Sequence, residues 1–442
     1  MDRHAINFKL DNSYVNPKIN NKINNKINNK INQNDLYKIN NLYFPDIKIL
    51  TYKSNSNNFK DEDINEYILD IKGMRKLFSI KSKIDKYYNE GGWDIIKKRT
   101  NPYEMVYITN KKQRHQSVSK YEPLSRSYFK MIEISYEYLR DHLSKREAIT
   151  TVHLAEGPGG FIEGIVNIRK NPNDRIYGMT LVSHNKEVPG WRRSWFFLSK
   201  HSNINILKGL DGTGDIYNLD NHIFMENRIG NQKAEIVTAD GGFDFSVNYN
   251  QQEFLAQKLI FSQVVLGVSI QEIGGSFIIK FFDTYSYISN QILFLLMTLY
   301  KSVYIFKPYT SRPANSERYI VCKGFYGISA SRVGMLRETL HIWNTLPKHI
   351  NMKSLFSGLP DKFLKDMKDL NNYIQKEQIQ YIEATIYLME NNNNNNIGDN
   401  NIGNNNNIGN NDIGNNKYKS YNEDQQIELA KLWCKKYGVP SI

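Results

Sequence analysis

Two charged residues, Asp240 and Lys280, stand at the ends of apolar runs that are typical of buried strands. Asp240 follows Ile236-Val-Thr-Ala and precedes two glycines, and Lys280 ends the run Ser276-Phe-Ile-Ile. An ammonium group at the end of such a strand is costly to bury unless a carboxylate pairs with it. Because ligands of open α/β sheets sit at the carboxyl ends of the strands, we expect this pair at a ligand site. The alternative is that either charge simply reaches water at a strand end.

A glycine-rich turn lies between a strand pattern and a helix pattern within residues 151–164. The apolar strand ends at Leu154, Glu156-Gly-Pro-Gly-Gly160 follows, and helical spacing begins at Phe161. Glycines let the backbone approach a ligand closely, and the free N–H groups of a helix start favour its polar or anionic end. We interpret the turn as the site of a nucleotide-like cofactor. It matches neither a P-loop nor the dinucleotide-binding spacing, so taken alone it is equally compatible with a structural turn.

The elements that must position these residues alternate between strands and helices. This alternation predicts an α/β fold with a mostly parallel, seven-stranded sheet that helices cover on both faces. The seven strands are predicted at about 151–154, 176–181, 204–207, 234–239, 274–280, 303–306 and 318–322. Amphipathic or apolar helices are predicted at 125–143, 252–267 and 288–301.

The flanking regions have a different composition. Residues 1–40 are rich in Asn and repeat Asn-Lys-Ile-Asn, which offers too little apolar surface to offset the entropy of ordering, so we expect an arm without a fold. We interpret 41–117 as an N-terminal accessory region, 118–330 as the α/β domain and 331–390 as a C-terminal helical extension. Residues 391–417 are Asn with a recurring Ile-Gly, typical of a linker. An amphipathic helix within 418–442 is expected to fold back on the globular part.

The charge balance favours a polyanionic partner. Lysine and arginine number 58 against 45 acidic residues, which gives a net charge of +13, and nucleic acid is the commonest partner of such a chain. An AT-rich genome would also raise Lys together with Asn, Ile and Tyr. The two cysteines are too few for a disulfide framework or a thiolate zinc site. Since we find no apolar run of about 18 residues and no N-terminal signal region, we expect a soluble intracellular protein that does not contact a membrane.

Five stretches resemble, in order, the signatures of the FtsJ-like (RrmJ-type) ribose 2′-O-methyltransferases. They are Ser125-Arg-Ser-Tyr-Phe-Lys130, the turn Ala155-Glu-Gly-Pro-Gly-Gly-Phe161, Ala239-Asp-Gly-Gly242, Gly274-Gly-Ser-Phe-Ile-Ile-Lys280 and the segment from Lys307 to Phe325. The resemblance covers about residues 118–325 and implies a Rossmann-like methyltransferase fold with S-adenosyl-L-methionine as cofactor. The turn and Gly209-Leu-Asp-Gly-Thr-Gly-Asp215 look closer to the eukaryotic and viral mRNA cap methyltransferases than to the bacterial rRNA enzyme.

The resemblance implies a catalytic tetrad of Lys130, Asp240, Lys280 and Glu317. A ribose 2′-hydroxyl is a poor nucleophile near neutral pH, so an amine that orients it and accepts its proton would assist its attack on a methyl group. We assign this role to Lys280, with Asp240 as its anchor. Lys130 and Glu317 are expected to hold the lysine and the ribose in line with the methyl group. This chemistry requires no metal.

The same resemblance implies a set of cofactor contacts around the turn and the strand ends. They are Glu156, Gly157, Pro158, Gly159, Gly160, Phe161, Asp211, Asp215 and Asp240. Asp215 is expected near the adenine amino group, and Asp211 is the weaker candidate. The acid that the family often has after its second strand, for the ribose hydroxyls, is missing from Thr180-Leu-Val-Ser-His184. We interpret His153 as a core histidine rather than a ligand.

Arginines supply the candidate RNA contacts, because a guanidinium fork suits a phosphate. The candidates are Arg126, Arg192, Arg193 and Arg312. Trp191 beside Arg192 either stacks a base or caps the rim of the sheet, and the sequence leaves both open. Capped RNA would also need an aromatic sandwich for methylguanine, whose rings the sequence does not identify.

The function predicted from these residues is S-adenosylmethionine-dependent 2′-O-methylation of the first transcribed nucleotides of capped mRNA. RNA is the expected partner, and other capping enzymes are further candidates. The alternatives are an rRNA or tRNA 2′-O-methyltransferase and an inactive methyltransferase fold that serves as an RNA-binding subunit. The Asn tracts are typical of a large DNA virus or a protist, so the expected location is the cytoplasm, or a viral factory or virion if the source is viral.

Overall fold

The computed structural model describes residues 6–10, 44–53, 68–89, 92–185, 188–242, 249–347, 350–395 and 420–442. These residues belong to two compact units. The first unit is drawn from residues 1–71, 123–308 and 317–369, and the second from 72–122, 309–316 and 370–442. Both units are therefore assembled from separate parts of the chain, which differs from the consecutive regions that the sequence predicted.

The strands lie within the first unit. They are β1 (Ile6–Leu10), β2 (Ile47–Lys53), β3 (Thr150–Leu154), β4 (Arg175–Met179), β5 (Ile204–Leu207), β6 (Ala234–Ala239), β7 (Gln271–Phe281), β8 (Tyr300–Lys307), β9 (Arg318–Phe325) and β10 (Ile350–Phe356). Eight of them form one sheet in the order β1-β8-β9-β7-β6-β3-β4-β5. From β5 to β7 the neighbours are parallel, whereas β9, β8 and β1 join by antiparallel pairing. The carboxyl ends of the five parallel strands therefore meet at one edge, where ligands of such sheets bind.

The predicted count of seven strands is too low by one, and the extra strand comes from the arm that was expected to have no fold. Ile6–Leu10 pairs with β8, from Ile6 opposite Lys307 to Leu10 opposite Val303. Its two apolar ends are buried and its three middle residues are exposed. Burial of these two side chains holds the segment on the sheet. The Asn-rich composition of the whole arm gave no sign of them. The rest of the predicted arm lies outside the described residues.

The helices cover the sheet and build the second unit. They are α1 (Ile71–Ser82), α2 (Ile84–Asn89), α3 (Trp93–Ile96), α4 (Ser127–Tyr138), α5 (Arg140–Leu143), α6 (Gly160–Arg169), α7 (Trp195–Ser199), α8 (Leu219–Ile229), α9 (Gln252–Ile270), α10 (Tyr287–Leu299), α11 (Ala330–Thr345), α12 (Asp361–Asn395) and α13 (Glu423–Tyr437). Helix α9 is long and apolar enough to cross a membrane by length and composition alone, but most of it is buried. That burial is typical of a core helix under a sheet.

The predicted helical extension, 331–390, contains a strand. Ile350–Phe356 pairs antiparallel with Ile47–Lys53, which lies in the predicted accessory region. Gln291 in α10 fixes this pair, because its side-chain amide donates to the Phe356 carbonyl at 2.9 Å and its oxygen accepts from the Leu355 N–H at 2.8 Å. These contacts between distant parts of the chain override the helical pattern on either side.

The second unit contains the last helix, as the sequence predicted. The Gln426 side chain of α13 donates to the Lys98 carbonyl at 2.8 Å and to the Asn101 carbonyl at 2.6 Å. Asn422 and Gln425 form a capping box that fixes the start of this helix. The prediction that the helix folds back on globular structure is confirmed for this unit. Of the predicted linker 391–417, residues 391–395 continue α12 and 396–417 lie outside the described residues.

Candidate active site

Asp240 and Lys280 meet at the carboxyl edge of the sheet, where β6 ends and β7 nears its end. The Lys280 ammonium Nζ donates to the Asp240 backbone carbonyl at 2.7 Å and lies 3.2 Å from Asp240 Oδ1. Both side chains are mostly buried. A Cβ at Gly242 would lie 3.0 Å from Lys280 Nζ, so a glycine there leaves room for the amine. The ion pair expected from the two strand ends is present.

Lys130 and Glu317 form a second pair beside the first. Lys130 lies in α4, and Glu317 directly precedes β9. The Lys130 Nζ lies 2.6 Å from Glu317 Oε1, and Lys307 donates to the Glu317 backbone carbonyl at 2.6 Å. Burial alone would raise the pKa of Glu317, but the positive charges of Lys130, Lys280 and Lys307 outweigh it and hold the pKa at about 2. The structure therefore brings all four residues of the predicted tetrad together.

Tyr319 connects the two pairs and was given no role by the sequence. Its hydroxyl donates to Asp240 Oδ1 at 2.8 Å, so this oxygen serves both the tyrosine and Lys280. The side chain is fully buried, with its ring centre 5.6 Å from that of Phe161. Burial, with the negative charges of Asp240 and Glu317, raises its pKa far above the usual value, which keeps the phenol a donor. The signal was available, because residues two apart on a strand share a face and Tyr319 follows Glu317 by two.

The glycine turn begins directly after β3 and starts α6. Gly159 caps this helix in the left-handed conformation, at a φ of 101° that favours glycine. A Cβ at Gly157 would lie 2.7 Å from the Pro189 carbonyl, and one at Gly160 would overlap the hydroxyls of Ser125 and Ser127. The backbone of the turn therefore lies in close contact with two neighbouring segments.

Glu156, which was predicted to contact the cofactor, turns its carboxyl group beneath the turn instead. Oε2 lies 3.2 Å from His153 Nδ1, and Oε1 accepts a short hydrogen bond from the Thr238 hydroxyl. Burial raises its pKa, against the opposing effect of His153 and Thr238. Only the backbone of Glu156 is left to line the site. The interpretation of His153 as a core histidine is confirmed, since it is fully buried and bonded to Thr151, Thr238 and Glu156.

Asp211 and Asp215 lie in the loop after β5 and differ in the hydrogen bonds that their carboxylates accept. Asp211 accepts the N–H and hydroxyl of Thr213 at 2.9 and 2.7 Å, and also the side-chain amides of Asn218 and Asn221. These hydrogen bonds, those from Thr213 first, lower its pKa. Asp211 therefore shapes the loop. The Asp215 carboxylate accepts only the Tyr217 N–H, at 2.8 Å, within the described part of the chain.

Exposed apolar side chains lie in the loops beyond the carboxyl ends of β4 and β5. Leu181 and Leu210 follow β4 and β5 and are 43% and 67% exposed. Their two loops touch, since the Val182 N–H donates to the Thr213 carbonyl at 2.7 Å. Apolar walls, a glycine turn and an acid with a remaining acceptor fit a nucleoside cofactor with a polar tail. Within the described residues, no group of three or more His, Cys, Asp or Glu side chains is placed to hold a metal ion.

The candidate RNA-binding arginines have different surroundings. Arg192 and Arg193 are exposed on a single 3₁₀ turn, Trp191–Arg193. Arg126 is half-buried at the start of α4. In the second unit, Arg312 is paired instead with Glu104, through two hydrogen bonds of 2.9 and 3.1 Å. The phosphate contact of Arg312 stays a prediction, and the structure shows this arginine in an ion pair with Glu104.

Trp191 packs on the sheet. A Cβ at Gly178 in β4 would lie 3.1 Å from its ring, and one at Gly159 would lie 3.2 Å from it. Of the two roles left open by the sequence, capping the rim of the sheet is the one this packing supports.

Residues 123–325 match the model of the FtsJ-like methyltransferase family. The chain is also similar to curated relatives named cap-specific mRNA (nucleoside-2′-O-)-methyltransferase 1. The protein of Trypanosoma brucei brucei is 34% identical over 57% of this chain and 68% of its own length. That of Trypanosoma cruzi is 31% identical over 55% of this chain and 67% of its own length. The human protein is 32% identical over 51% of this chain, but over only 27% of its own length.

The matched residues 123–325 include the four charged residues that meet at the carboxyl edge of the sheet. The chain therefore belongs to the FtsJ-like methyltransferase family.

Proposed function

We propose that the protein methylates the ribose 2′-hydroxyl of the first transcribed nucleotides of capped mRNA, with S-adenosyl-L-methionine as the methyl donor. The observation that carries this proposal is the convergence of Lys130, Asp240, Lys280 and Glu317 beside the glycine turn. The names of the trypanosomal and human relatives support the cap-specific substrate.

The cofactor site is built from backbone and from loop residues. We assign the backbone of the turn at Gly157, Gly159 and Gly160 to the methionine part of the cofactor, and the exposed Leu181 and Leu210 to its adenine. When bound, the sulfonium group supplies an electrophilic methyl that leaves without its bonding electrons. The protein then has to hold a hydroxyl oxygen in line with that methyl and remove its proton.

Lys280 removes the proton from the hydroxyl. Its Nζ is fixed by the carbonyl and the carboxylate of Asp240, so its position relative to the sheet edge is set before RNA binds. In its neutral form, the Lys280 amine orients the 2′-hydroxyl and accepts its proton as the oxygen–methyl bond forms. Tyr319 keeps the Asp240 carboxylate in place, which makes Tyr319 a positioning residue.

Lys130 and Glu317 complete the electrostatic surroundings of Lys280. Glu317 stays ionised because the lysines hold its pKa at about 2. The negative charge of Glu317 attracts both lysine side chains, so the two amines are held at the edge where ribose must lie. The short Lys130–Glu317 contact gives this part of the site a single geometry.

The proposal is tested by methyl transfer from labelled S-adenosylmethionine to matched capped and uncapped transcripts. We expect transfer to the capped transcript by the wild type and a loss of about 10³-fold in kcat for Lys280→Ala. Ile223→Ala, at an exposed position of helix α8, is the matched control. Preference for uncapped rRNA or tRNA fragments would favour the first alternative, and no transfer to any RNA would favour an inactive RNA-binding subunit.

We further infer a cytoplasmic location and association with other capping enzymes. The support is a pair of buried free cysteines, Cys322 and Cys434, which suits a reducing compartment. Confinement of the protein to the nucleus or an organelle of its own cell would contradict this location, and purification without any capping enzyme would contradict the association.

A further inference from the structure

A segment after β4 exposes two adjacent aromatic side chains. Trp195 and Phe196 begin helix α7 and are 68% and 59% exposed. Their ring centres lie 6.3 Å apart at an interplanar angle of 75°. Large aromatic side chains are costly to leave in water, so neighbouring exposed rings indicate a surface that binds something.

The surroundings of these rings are basic. Arg192, Arg193 and Lys200 are exposed, and residues 188–203 contain no Asp or Glu. Lys200 Nζ lies 4.0 Å from the centre of the Phe196 ring, so cation and aromatic face are already side by side. Aromatic faces flanked by cations, with no acid between them, are complementary to the bases and phosphates of a single-stranded nucleic acid. An apolar protein surface without acidic groups would leave these cations without a partner.

Trp191 fastens this segment to the active-site edge of the sheet. The ring rests against Gly159 of the glycine turn and Gly178 of β4. Trp195 and Phe196 follow Trp191 by four and five residues. The hydroxyl of Ser194, which directly precedes Trp195, donates to the Trp191 carbonyl at 3.0 Å. The surface is thus held beside the cofactor turn, at the edge that also carries the tetrad.

We propose that Trp195 and Phe196 form a stacking platform for RNA bases downstream of the methylated nucleotide, with Arg192, Arg193 and Lys200 contacting the phosphates. This inference rests on the proposed function. Two rings inclined at 75° do not form the parallel slot that would sandwich a methylated guanine. Each ring instead offers a separate face, which suits successive bases and carries no sequence preference. A protein partner is the competing occupant.

The platform is tested by direct RNA binding, measured as fluorescence anisotropy of a labelled capped RNA of about 20 nucleotides. For Trp195→Ala/Phe196→Ala we expect Kd to rise about 10-fold or more, because stacking on both rings is lost. The rise should be larger for this RNA than for a capped dinucleotide. Tyr373→Ala removes a comparably exposed aromatic side chain, 52% exposed, and should leave Kd unchanged.

Salt dependence separates stacking from charge. The aromatic double variant should keep the wild-type slope of log Kd against log salt, whereas Arg192→Gln/Arg193→Gln should reduce the slope by about 2. A Kd for the aromatic variant within about twofold of wild type, or no RNA binding by wild type, would overturn the platform and leave a protein partner as its occupant. Wild type that binds RNA through the platform but transfers no methyl group would instead contradict the proposed function.

Discussion

Two mostly buried glutamates, Glu156 under the glycine turn and Glu317 in the tetrad, lie at the same edge of the sheet, and their pKa values are shifted in opposite directions. Burial raises the pKa of Glu156, whose neighbours are His153 and Thr238. Burial acts in the same direction on Glu317, but lysines outweigh it and the pKa falls to about 2. The difference shows that neighbouring cations, rather than burial, set the direction in which the pKa of each acid is shifted.

The comparison also separates two tasks within one site. The region of the turn is built from backbone and from a buried hydrogen-bond network of Glu156, His153 and Thr238. The region of the tetrad concentrates Lys130, Lys280 and Glu317 where a ribose must be held. A nucleoside cofactor and a sugar hydroxyl require these two environments side by side.

We expect the largest effect that tests this comparison when each of the two glutamates is replaced in turn by its neutral amide. Glu317→Gln should lower kcat for methyl transfer by about 100-fold, because the two lysines lose the charge that holds them together. Glu156→Gln should leave kcat and the KM for S-adenosylmethionine within about threefold of wild type, since its carboxyl group faces away from the cleft. Steady-state kinetics on a capped transcript measures both.

Each substitution is the control for the other, because both replace a buried glutamate by its amide. Thermal unfolding should confirm that both variants fold. A Glu156→Gln variant with a raised KM for the cofactor, beside a Glu317→Gln variant with normal kcat, would reverse the assignment of the two regions.

Much of this site follows from the sequence, and the reasons for the remainder are physical. Asp240 and Lys280 were found from their own surroundings, because charges that end apolar strands must meet at one sheet edge. Lys130 and Glu317 were identified only by family resemblance, since a helix position and the residue before a strand carry no such local signal. The motif that contains Glu156 does not say which way its side chain points, and the structure turns it inward.

The same limit applies to longer-range features. Arg312 was predicted to bind phosphate, but its partner Glu104 is 208 residues away in the chain and no local pattern connects them. The mostly parallel sheet was predicted from the alternation of strands and helices, whereas Ile6–Leu10 was missed because its two buried residues lie within an Asn-rich segment. Pairings that depend on distant partners are the part that sequence patterns leave undetermined.

A smaller effect is expected on the free energy of unfolding, which should change with pH by about 1 kcal/mol, with opposite sign for the two glutamates. The pKa of Glu317 is lower in the folded state than its ordinary 4.5, so its contribution to the free energy of unfolding is present above about pH 4.5 and is lost as pH falls towards 2. The pKa of Glu156 is raised, so its contribution is present below about pH 4.5 and is lost as pH rises through the folded value.

Urea unfolding at about pH 4 and pH 7 measures this difference. As pH rises, Glu156→Gln should gain stability relative to wild type, whereas Glu317→Gln should lose it. The same sign of change in both variants would contradict the opposite pKa shifts of the two acids.

The central claim is that the tetrad directs a methyl group to one ribose oxygen of capped RNA. Mass analysis of two capped transcripts, identical except for a 2′-deoxyribose at the first transcribed nucleotide, tests it most directly. The account predicts that the ribose transcript gains a methyl group at that nucleotide and that the deoxyribose transcript gains none there. Equal methylation of that nucleotide in both transcripts would place the methyl group on a base and contradict the account.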